Sequence, residues 1–174
     1  MLKIKIGEIL SLDIVKYSVL SSEQQLILLN EINRLVLLNI KNKNLASLGL
    51  KYIPNGDGFH IISNNGMSLV IALILKKIET VIHSKLPFFS GYRISVINGE
   101  YFGFVDILGN FNYIGSGIIN AELVTSDKSL FFGGNIVIEG DIFKSCPYSL
   151  NIKYSKPFLY SKCNINKELL NIWV

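Results

Sequence analysis

The stretch IPNGDGFHII, at residues 53–62, constrains the fold most, because a segment rich in turn-forming residues separates two apolar runs. Proline, asparagine and glycine favour a tight reversal, so the stretch predicts two antiparallel strands, Leu50–Ile53 and Phe59–Ser63. The turn also carries a lone carboxylate, Asp57, between two glycines. A fold assigned to this chain must therefore explain an acidic side chain at the tip of an otherwise apolar hairpin.

The segments around this hairpin alternate between strand and helix patterns. Residues 4–15 are apolar and β-branched, which predicts a buried strand. Ser21 and Gln24 have the spacing of a capping box, which predicts a helix that begins there and ends near Leu38. A second helix is expected over Ser68–His83. The runs YRISVING and EYFGFVDI predict two paired strands around a turn at Asn98–Gly99.

The order of these elements predicts the fold class. A third helix is expected from GSGIINAELV, and the C-terminal segment is strand-like again. The resulting order β-α-β-β-α-β, followed by further α and β elements, predicts an α/β (α+β) fold. We expect a ferredoxin-like core with its helices on one face and a C-terminal αβ extension, in a single domain over residues 1–174.

Composition narrows the environment of the chain. Hydrophobic residues make up 49% and charged residues 17% of the sequence, which excludes a disordered chain. The apolar segments are interrupted before they reach a membrane-spanning length, so we expect neither a transmembrane helix nor an N-terminal secretion signal. Cys146 and Cys163 lack metal-site spacing and are expected to be reduced thiols. The net charge of +4 comes from scattered residues, so we expect a cytoplasmic protein with no nucleic-acid or membrane partner.

Two carboxylates are expected to meet at one edge of the sheet. Asp13 ends the first strand, and that strand neighbours the hairpin of Asp57 in a ferredoxin-like sheet. Such a pair, beside a loop that opens a helix, suits divalent cations that carry a phosphate chain. The amides of residues 14–18, the Ser18 hydroxyl and the Lys16 ammonium are available to phosphates. The alternative is that Asp57 is a turn residue and Asp13 a strand-end cap.

Four motifs, in order along the chain, resemble the class III nucleotidyl cyclases, the adenylyl and guanylyl cyclase catalytic domains. LSLDIVKYS is similar to their opening Asp-Ile-Val-Gly-Tyr-Ser run, and IPNGDGFHII to the bacterial form of their Gly-Asp hairpin. YRISVING resembles their Arg-Ile-Gly-Ile-His-x-Gly strand. GNFNYIGSGIINAELV resembles the Gly-x-x-Asn-x-x-Gly-x-Gly-Ile-Asn-x-Ala-Gln-Arg segment. The match runs from Ile6 to Val124 and continues more loosely to the C-terminus.

The resemblance implies a reaction and a set of site residues. Two Mg²⁺ or Mn²⁺ ions would lie between Asp13 and Asp57, and a nucleoside triphosphate would be converted to a 3′,5′-cyclic nucleotide and pyrophosphate. The family's site is completed across a head-to-tail dimer, which implies a homodimer. The implied nucleotide-binding residues are Ile14, Lys16, Tyr17, Ser18, Gly56, Asn112 and Lys162.

The sequence departs from the family at the residues that act on the transition state. The family's Asn, which orients the ribose, and its Arg, which stabilises charge on the α-phosphate, correspond to Ile119 and Leu123. Asn120 follows by one residue and could supply the Asn only through a local bulge. Losing such a cation would cost about 3–4 kcal/mol of transition-state stabilisation. The base-reading positions are Ile53 and Asn112, which leaves all four bases open as substrate.

Three hypotheses follow from these matches and departures. The chain is an active cyclase in which Lys128 or Lys162 replaces the missing Arg, with a cyclic pyrimidine nucleotide for antiphage signalling as one candidate product. Alternatively, it is a degenerate homologue that acts as a nucleotide-binding sensor or as one half of a heterodimer. The third hypothesis is a structural module without a nucleotide site. The retained Asp pair argues against the third hypothesis, and the missing Arg argues against full activity.

Overall fold

The structure is a computed structural model that describes residues 4–42, 49–146 and 153–173. The described strands and helices follow one another as β1 (Lys5–Ile14), α1 (Ser22–Asn42), β2 (Lys51–Asn55), β3 (Gly58–Ser63), α2 (Met67–Lys85), β4 (Tyr92–Val105), β5 (Phe111–Ile114), α3 (Ser116–Ser126), β6 (Ile136–Glu139), α4 (Gly140–Ser145), β7 (Lys153–Tyr154), β8 (Phe158–Lys162) and β9 (Ile165–Trp173). The predicted α+β class and the β-α-β-β-α-β order of its first part are confirmed.

The described strands form one sheet in which β1 is an interior strand. The order is β2-β3-β1-β4-β6-β9-β7, with β5 paired to β4 and β8 paired to β9. β1 runs antiparallel to both β3 and β4, and Asp13 lies directly across from Gly58 on one side and Arg93 on the other. The first strand therefore lies beside the hairpin, as a ferredoxin-like order predicts.

The predicted boundaries of the first helix and the hairpin agree closely with the structure. Ser21 N donates to Gln24 Oε1 at 3.0 Å and Gln24 N donates to Ser21 Oγ at 3.2 Å, which is the reciprocal capping box. The helix continues to Asn42, a turn beyond the predicted end at Leu38. β2 and β3 pair with a two-residue turn between them, so the hairpin prediction is confirmed.

The two helices of the ferredoxin-like core share one face of the sheet, as predicted, and α3 lies on the other face. α1 and α2 cover one face, where they pack on alternate β1 residues such as Leu10 and Leu12. α3 packs on the opposite face, where Ile118 and Val124 contact a second core built on Ile9. Because strand residues alternate between faces and β1 is apolar on both, the sheet needs a cover on each side.

The predicted turn at Asn98–Gly99 is wrong. Residues 92–105 form one strand of 14 residues, β4, which passes straight through both positions. Gly99 is required by packing: a Cβ there would lie 2.3 Å from the Cα of Gly117 in α3. The glycine pair lets α3 approach the sheet closely, and that is why a turn-forming residue occurs inside a strand.

Two expectations about environment can be compared with the structure. No helix of the described ranges is long and apolar enough to cross a membrane. Cys146 and Cys163 both carry free thiols, in agreement with the expectation that they are not paired.

Candidate functional site

The two acidic residues of the predicted site lie at one end of the sheet. Asp13 is the penultimate residue of β1, and Asp57 is the second residue of the turn between β2 and β3. The Ile14 amide donates to the Asp57 carbonyl oxygen at 2.9 Å, which ties this turn to the end of β1. Both residues line one cavity of about 630 Å³, a volume typical of small-molecule sites.

Gly58 allows the hairpin to approach β1 this closely. It pairs with Asp13 across the two strands, and a Cβ built on it would lie only 1.9 Å from the Leu12 carbonyl oxygen. No side chain can be accommodated at that distance without moving backbone. The second glycine of the turn motif therefore sets the separation between the Asp57 turn and Asp13.

Arg93 forms an ion pair with Asp13 from the neighbouring strand β4. Its Nε donates to Asp13 Oδ2 at 2.7 Å, and its Nη2 donates to the same oxygen. Burial raises the pKa of the Asp13 carboxyl, the Arg93 guanidinium opposes that rise, and the Asp57 carboxylate adds to it. No motif assigned a role to Arg93. The signal that could have found it is its place opposite Asp13 once β1 and β4 are paired.

The carboxylate pair has the chemistry of a site for a hard divalent cation. Carboxylate oxygens are the ligands that Mg²⁺ and Mn²⁺ prefer, and Asp13 and Asp57 line the same cavity. Within the described ranges, no three His, Cys, Asp or Glu side chains are arranged to hold a metal. An ion at Asp13 and Asp57 would therefore take its other ligands from water, backbone carbonyls or a bound phosphate.

The loop after β1 forms one wall of the cavity. Ile14, Lys16, Tyr17 and Ser18, the residues predicted to contact phosphates, all line it. The amides of Ile14 and Val15 are occupied by the carbonyl oxygens of Asp57 and Gly91, so Ile14 cannot offer its amide to a phosphate. The amides from Lys16 to Ser18 are the remaining candidates in this loop.

Lys16 has an unusual backbone conformation for its residue type. Its φ of 60° and ψ of 26° lie in the left-handed region, which residues with a Cβ rarely adopt. The strain is about 1–2 kcal/mol for an ordinary residue. A strained lysine on the wall of a cavity that contains two carboxylates is more consistent with a binding role than with a structural one.

The cavity is lined by three positive side chains as well as by the acidic residues Asp13, Asp57 and Glu79. Lys128 also lines the cavity, so that Lys16, Arg93 and Lys128 all contribute positive charge to it. The segment that follows Lys128 also lines the cavity, through Phe131, Phe132, Gly133, Gly134 and Asn135. The site therefore combines an acidic pair, which suits a cation, with lysines that suit an anion.

The other predicted site residues do not line this cavity. Gly56, with φ of 43°, shapes the turn before Asp57. Asn112 lies on β5, where its side-chain oxygen accepts from the Tyr113 amide at 2.8 Å. Asn120 lies on α3, on the sheet face opposite α1 and α2. One copy of the chain does not bring Asn112 or Asn120 to the cavity of the Asp pair.

Lys162 is held by an acidic partner of its own. Its Nζ donates to Asp127 Oδ2 at 2.6 Å, and Tyr160 donates to the same oxygen at 3.3 Å. The Lys162 hydrogen bond, with a second from Ser129, lowers the pKa of Asp127 to about 2. Lys162 thus lies beside α3, at the side of the molecule that carries Asn120, and its predicted phosphate contact stays a prediction.

The two departures from the family motif differ in their surroundings. Ile119 is 54% exposed on α3, which is a large apolar surface to leave in water. Leu123 is partly buried and packs against the core beneath α3. Neither side chain can donate a hydrogen bond to a ribose or a phosphate.

Solved structures with the same fold are found although sequence similarity is low. The guanylate cyclase domain of RhGC from Catenaria anguillulae, in complex with GTP, superposes with a TM-score of 0.73 at 15% identity, over 98% of this chain and 97% of that one. An adenylate/guanylate cyclase/hydrolase from Silicibacter pomeroyi gives 0.69 at 17% identity, with 98% and 97% covered. The chain has the fold of a class III cyclase catalytic domain.

This cyclase fold is shown by structure alone. A bacterial light-regulated adenylyl cyclase also matches, with a TM-score of 0.69 at 12% identity, and the chain covers 52% of that longer protein. Neither a family profile nor a curated protein sequence matches the chain. At such identities the fold is shared while the site residues must be argued from this chain.

Proposed function

We propose that the chain binds a nucleoside triphosphate with two divalent ions, Mg²⁺ or Mn²⁺, and converts it to a 3′,5′-cyclic nucleotide and pyrophosphate. The observation that carries the proposal is the convergence of Asp13 and Asp57 in a cavity lined by lysines, within a cyclase fold. The ribose 3′-hydroxyl would lose its proton to water, its oxygen would bond to the α-phosphorus, and the bond from that phosphorus to the pyrophosphate oxygen would break.

The residues of the cavity would divide this work by charge. Asp13 and Asp57 would hold the ions, which when bound lower the pKa of the 3′-hydroxyl and neutralise the phosphates. Lys16, Lys128 and the free amides of the β1 loop would bind the phosphate chain and the departing pyrophosphate. The Phe131–Phe132 wall would limit access of water to the reacting phosphorus.

The test of this proposal is product formation from each of the four nucleoside triphosphates. Purified protein is incubated with Mn²⁺ and one nucleotide at a time, and cyclic mononucleotides are identified by mass spectrometry. We expect slow formation of one product, and a pyrimidine product would support the role in bacterial antiphage signalling. Absence of every cyclic product, with nucleotide binding retained, would favour the degenerate sensor or heterodimer partner described next.

A second candidate is a nucleotide-binding homologue that does not turn over alone. Ile119 and Leu123 favour it, because they stand where the family places the ribose-orienting Asn and the transition-state Arg. Such a chain would serve as a sensor, or would be active only beside a partner that supplies the lost groups. The metal and phosphate contacts are the same in both candidates, so nucleotide binding alone does not separate them.

We also propose a head-to-tail homodimer, because the predicted residues Asn112, Asn120 and Lys162 do not reach the cavity of their own chain. A second copy could bring them to it. The hairpin of β4 and β5 offers an apolar surface for this contact, since Ile107 is fully exposed and Leu108 is 80% exposed. Exposed apolar groups clustered in this way mark interaction sites in soluble proteins. The other exposed apolar residues of the hairpin are Phe104, Val105, Phe111 and Ile114.

Charging the tip of this hairpin is expected to separate the dimer. The double variant Ile107→Glu, Leu108→Glu should raise the dimer dissociation constant at least tenfold, because two carboxylates would have to be buried in an apolar contact. Light scattering over a concentration series measures the change. Leu37→Glu on α1, at a residue 55% exposed, is the matched control and should have no effect. A wild type that is monomeric at tens of micromolar would contradict the proposal.

Relieving the strain at residue 16 is expected to raise stability and weaken anion binding together. Lys16→Gly should raise the free energy of unfolding by about 1 kcal/mol, because glycine adopts positive φ without steric cost. The same change removes a cation, so affinity for pyrophosphate should fall about tenfold. Denaturant unfolding and calorimetry measure the two effects.

Two variants separate strain from charge in that experiment. Asn65→Gly also removes a side chain at φ of 60°, but lies outside the cavity, so it should leave pyrophosphate affinity unchanged. Lys16→Gln keeps the strain and loses the charge, so it should lower affinity without raising stability. Unchanged affinity in both Lys16 variants would exclude this lysine from the phosphate site.

A further inference from the structure

Arg93 occupies the carboxylate that a divalent ion would need. Two of its nitrogens donate to Asp13 Oδ2, and both side chains are largely buried, with 17% of Arg93 and 19% of Asp13 exposed. Asp57, by contrast, forms no ion pair with any residue in the described ranges. In the absence of ligand, Arg93 therefore neutralises one of the two carboxylates of the site.

This ion pair is not needed to hold the two strands together. β1 and β4 are paired over ten residues, and the start of β4 is also held by a hydrogen bond to Glu79 of α2. Glu79 accepts from the Tyr92 amide at 2.8 Å and from Lys76 at 2.6 Å, so the backbone next to Arg93 has its own support. The guanidinium can leave Asp13 without loss of the strand pairing.

A cation and an anion would act on Arg93 in the same direction. A divalent ion at Asp13 repels the guanidinium and competes for Oδ2, while a polyphosphate in the cavity attracts it. Arg93 lines the same cavity as Lys16 and Lys128, so its side chain can reach an anion there by a change of rotamer. Arginine suits the exchange because its donors match carboxylate and phosphate oxygens equally well.

We propose that Arg93 is the counter-ion of the ligand-free site and couples the two ligands: it leaves Asp13 for the polyphosphate when a divalent ion binds, so that ion and polyphosphate bind cooperatively. This inference rests on the proposed function only in taking Asp13 and Asp57 as metal ligands. Its consequence is that metal alone binds weakly, and that removing an arginine strengthens metal binding. By linkage, each ligand raises the affinity for the other by the same factor.

The test measures Mn²⁺ and pyrophosphate binding by calorimetry, separately and together, with free concentrations corrected for the complex that the two form in solution. In wild type we expect each ligand to strengthen the other at least tenfold. In Arg93→Gln we expect Mn²⁺ alone to bind at least fivefold more tightly than to wild type. The factor by which each ligand raises the affinity for the other should fall towards one. Arg93→Lys, which keeps the charge but has fewer donors, should be intermediate and decides the question if the Gln variant does not fold.

The matched control is the other arginine of the chain. Arg34 also donates through Nε and Nη2, in this case to the two carboxylate oxygens of Glu31 on α1, and it lies outside the cavity. Arg34→Gln should therefore leave Mn²⁺ affinity unchanged. The inference is overturned if wild type binds Mn²⁺ through Asp57 but Arg93→Gln changes neither the Mn²⁺ affinity nor the factor by which Mn²⁺ and pyrophosphate strengthen each other. Failure of wild type to bind Mn²⁺ under any of these conditions would instead overturn the proposed metal site, and the coupling with it.

Discussion

Asp57→Asn is expected to weaken Mn²⁺ binding, in the presence of nucleotide, by roughly 100-fold. Replacing an outer-shell partner of a metal typically costs 10–100-fold in affinity, and the loss of a direct ligand should reach the upper end of that range. The substitution keeps the shape of the side chain, and the Asp57 carbonyl can still accept from the Ile14 amide. Calorimetry of Mn²⁺ binding measures the effect, and turnover should fall in parallel.

The stability of this variant distinguishes a lost ligand from a damaged fold. Asp57 contributes to the raised pKa of Asp13 by repulsion, so its neutralisation should not lower the free energy of unfolding at pH 7. Asp141→Asn is a suitable control, because its side chain is 80% exposed on α4 and lines a different part of the surface. Equal Mn²⁺ affinity in wild type and Asp57→Asn would show that Asp57 is only a turn residue.

Restoring the family's two transition-state residues is expected to have the largest effect on rate. The double variant Ile119→Asn, Leu123→Arg should raise turnover by about 100-fold or more, because a missing hydrogen-bond donor to developing charge typically costs that much. The Asn position is accessible, since Ile119 is 54% exposed. Leu123 packs on the core beneath α3, so we also expect a loss of about 1–2 kcal/mol in stability. Mass spectrometry of the cyclic product measures the rate.

Two further variants, at Ile119 and at Asn120, complete this experiment. Ile119→Gln should produce less of the gain than Ile119→Asn, because its amide lies one methylene further from the backbone. Turnover that is high in wild type and unchanged or lowered in the double variant would show that another residue supplies the donor. Asn120→Ala would then be the next variant, since Asn120 neighbours the expected Asn position on α3.

Local patterns in the sequence predicted much of the fold. The capping box at Ser21 and the hairpin around Asp57 rest on contacts between residues close in sequence, so their patterns could be recognised directly. The turn at Asn98–Gly99 was predicted wrongly, because Gly99 serves a contact with Gly117 that only the assembled sheet creates. The sequence also did not predict which face of the sheet α3 covers, because either face of an apolar strand can be covered.

The site was predictable where its residues belong to motifs and unpredictable where it depends on strand register. Asp13 and Asp57 follow from a strand end and a turn, and they do line one cavity. Arg93 was missed because it lies directly across from Asp13 on the neighbouring strand β4. That relation depends on the register between β1 and β4. The amide of Ile14 was assigned to phosphate, but the hairpin carbonyl of Asp57 already occupies it.

The most direct test of the central claim is the position of Mn²⁺ in a crystal grown with Mn²⁺ and a non-cyclisable nucleoside triphosphate analogue. Anomalous scattering locates the ion without reference to activity. We predict a peak within about 2.0–2.5 Å of carboxylate oxygens from both Asp13 and Asp57, with phosphate oxygens completing its ligands. A nucleotide bound with no such peak, or with Mn²⁺ held elsewhere and Arg93 still paired with Asp13, would contradict the account.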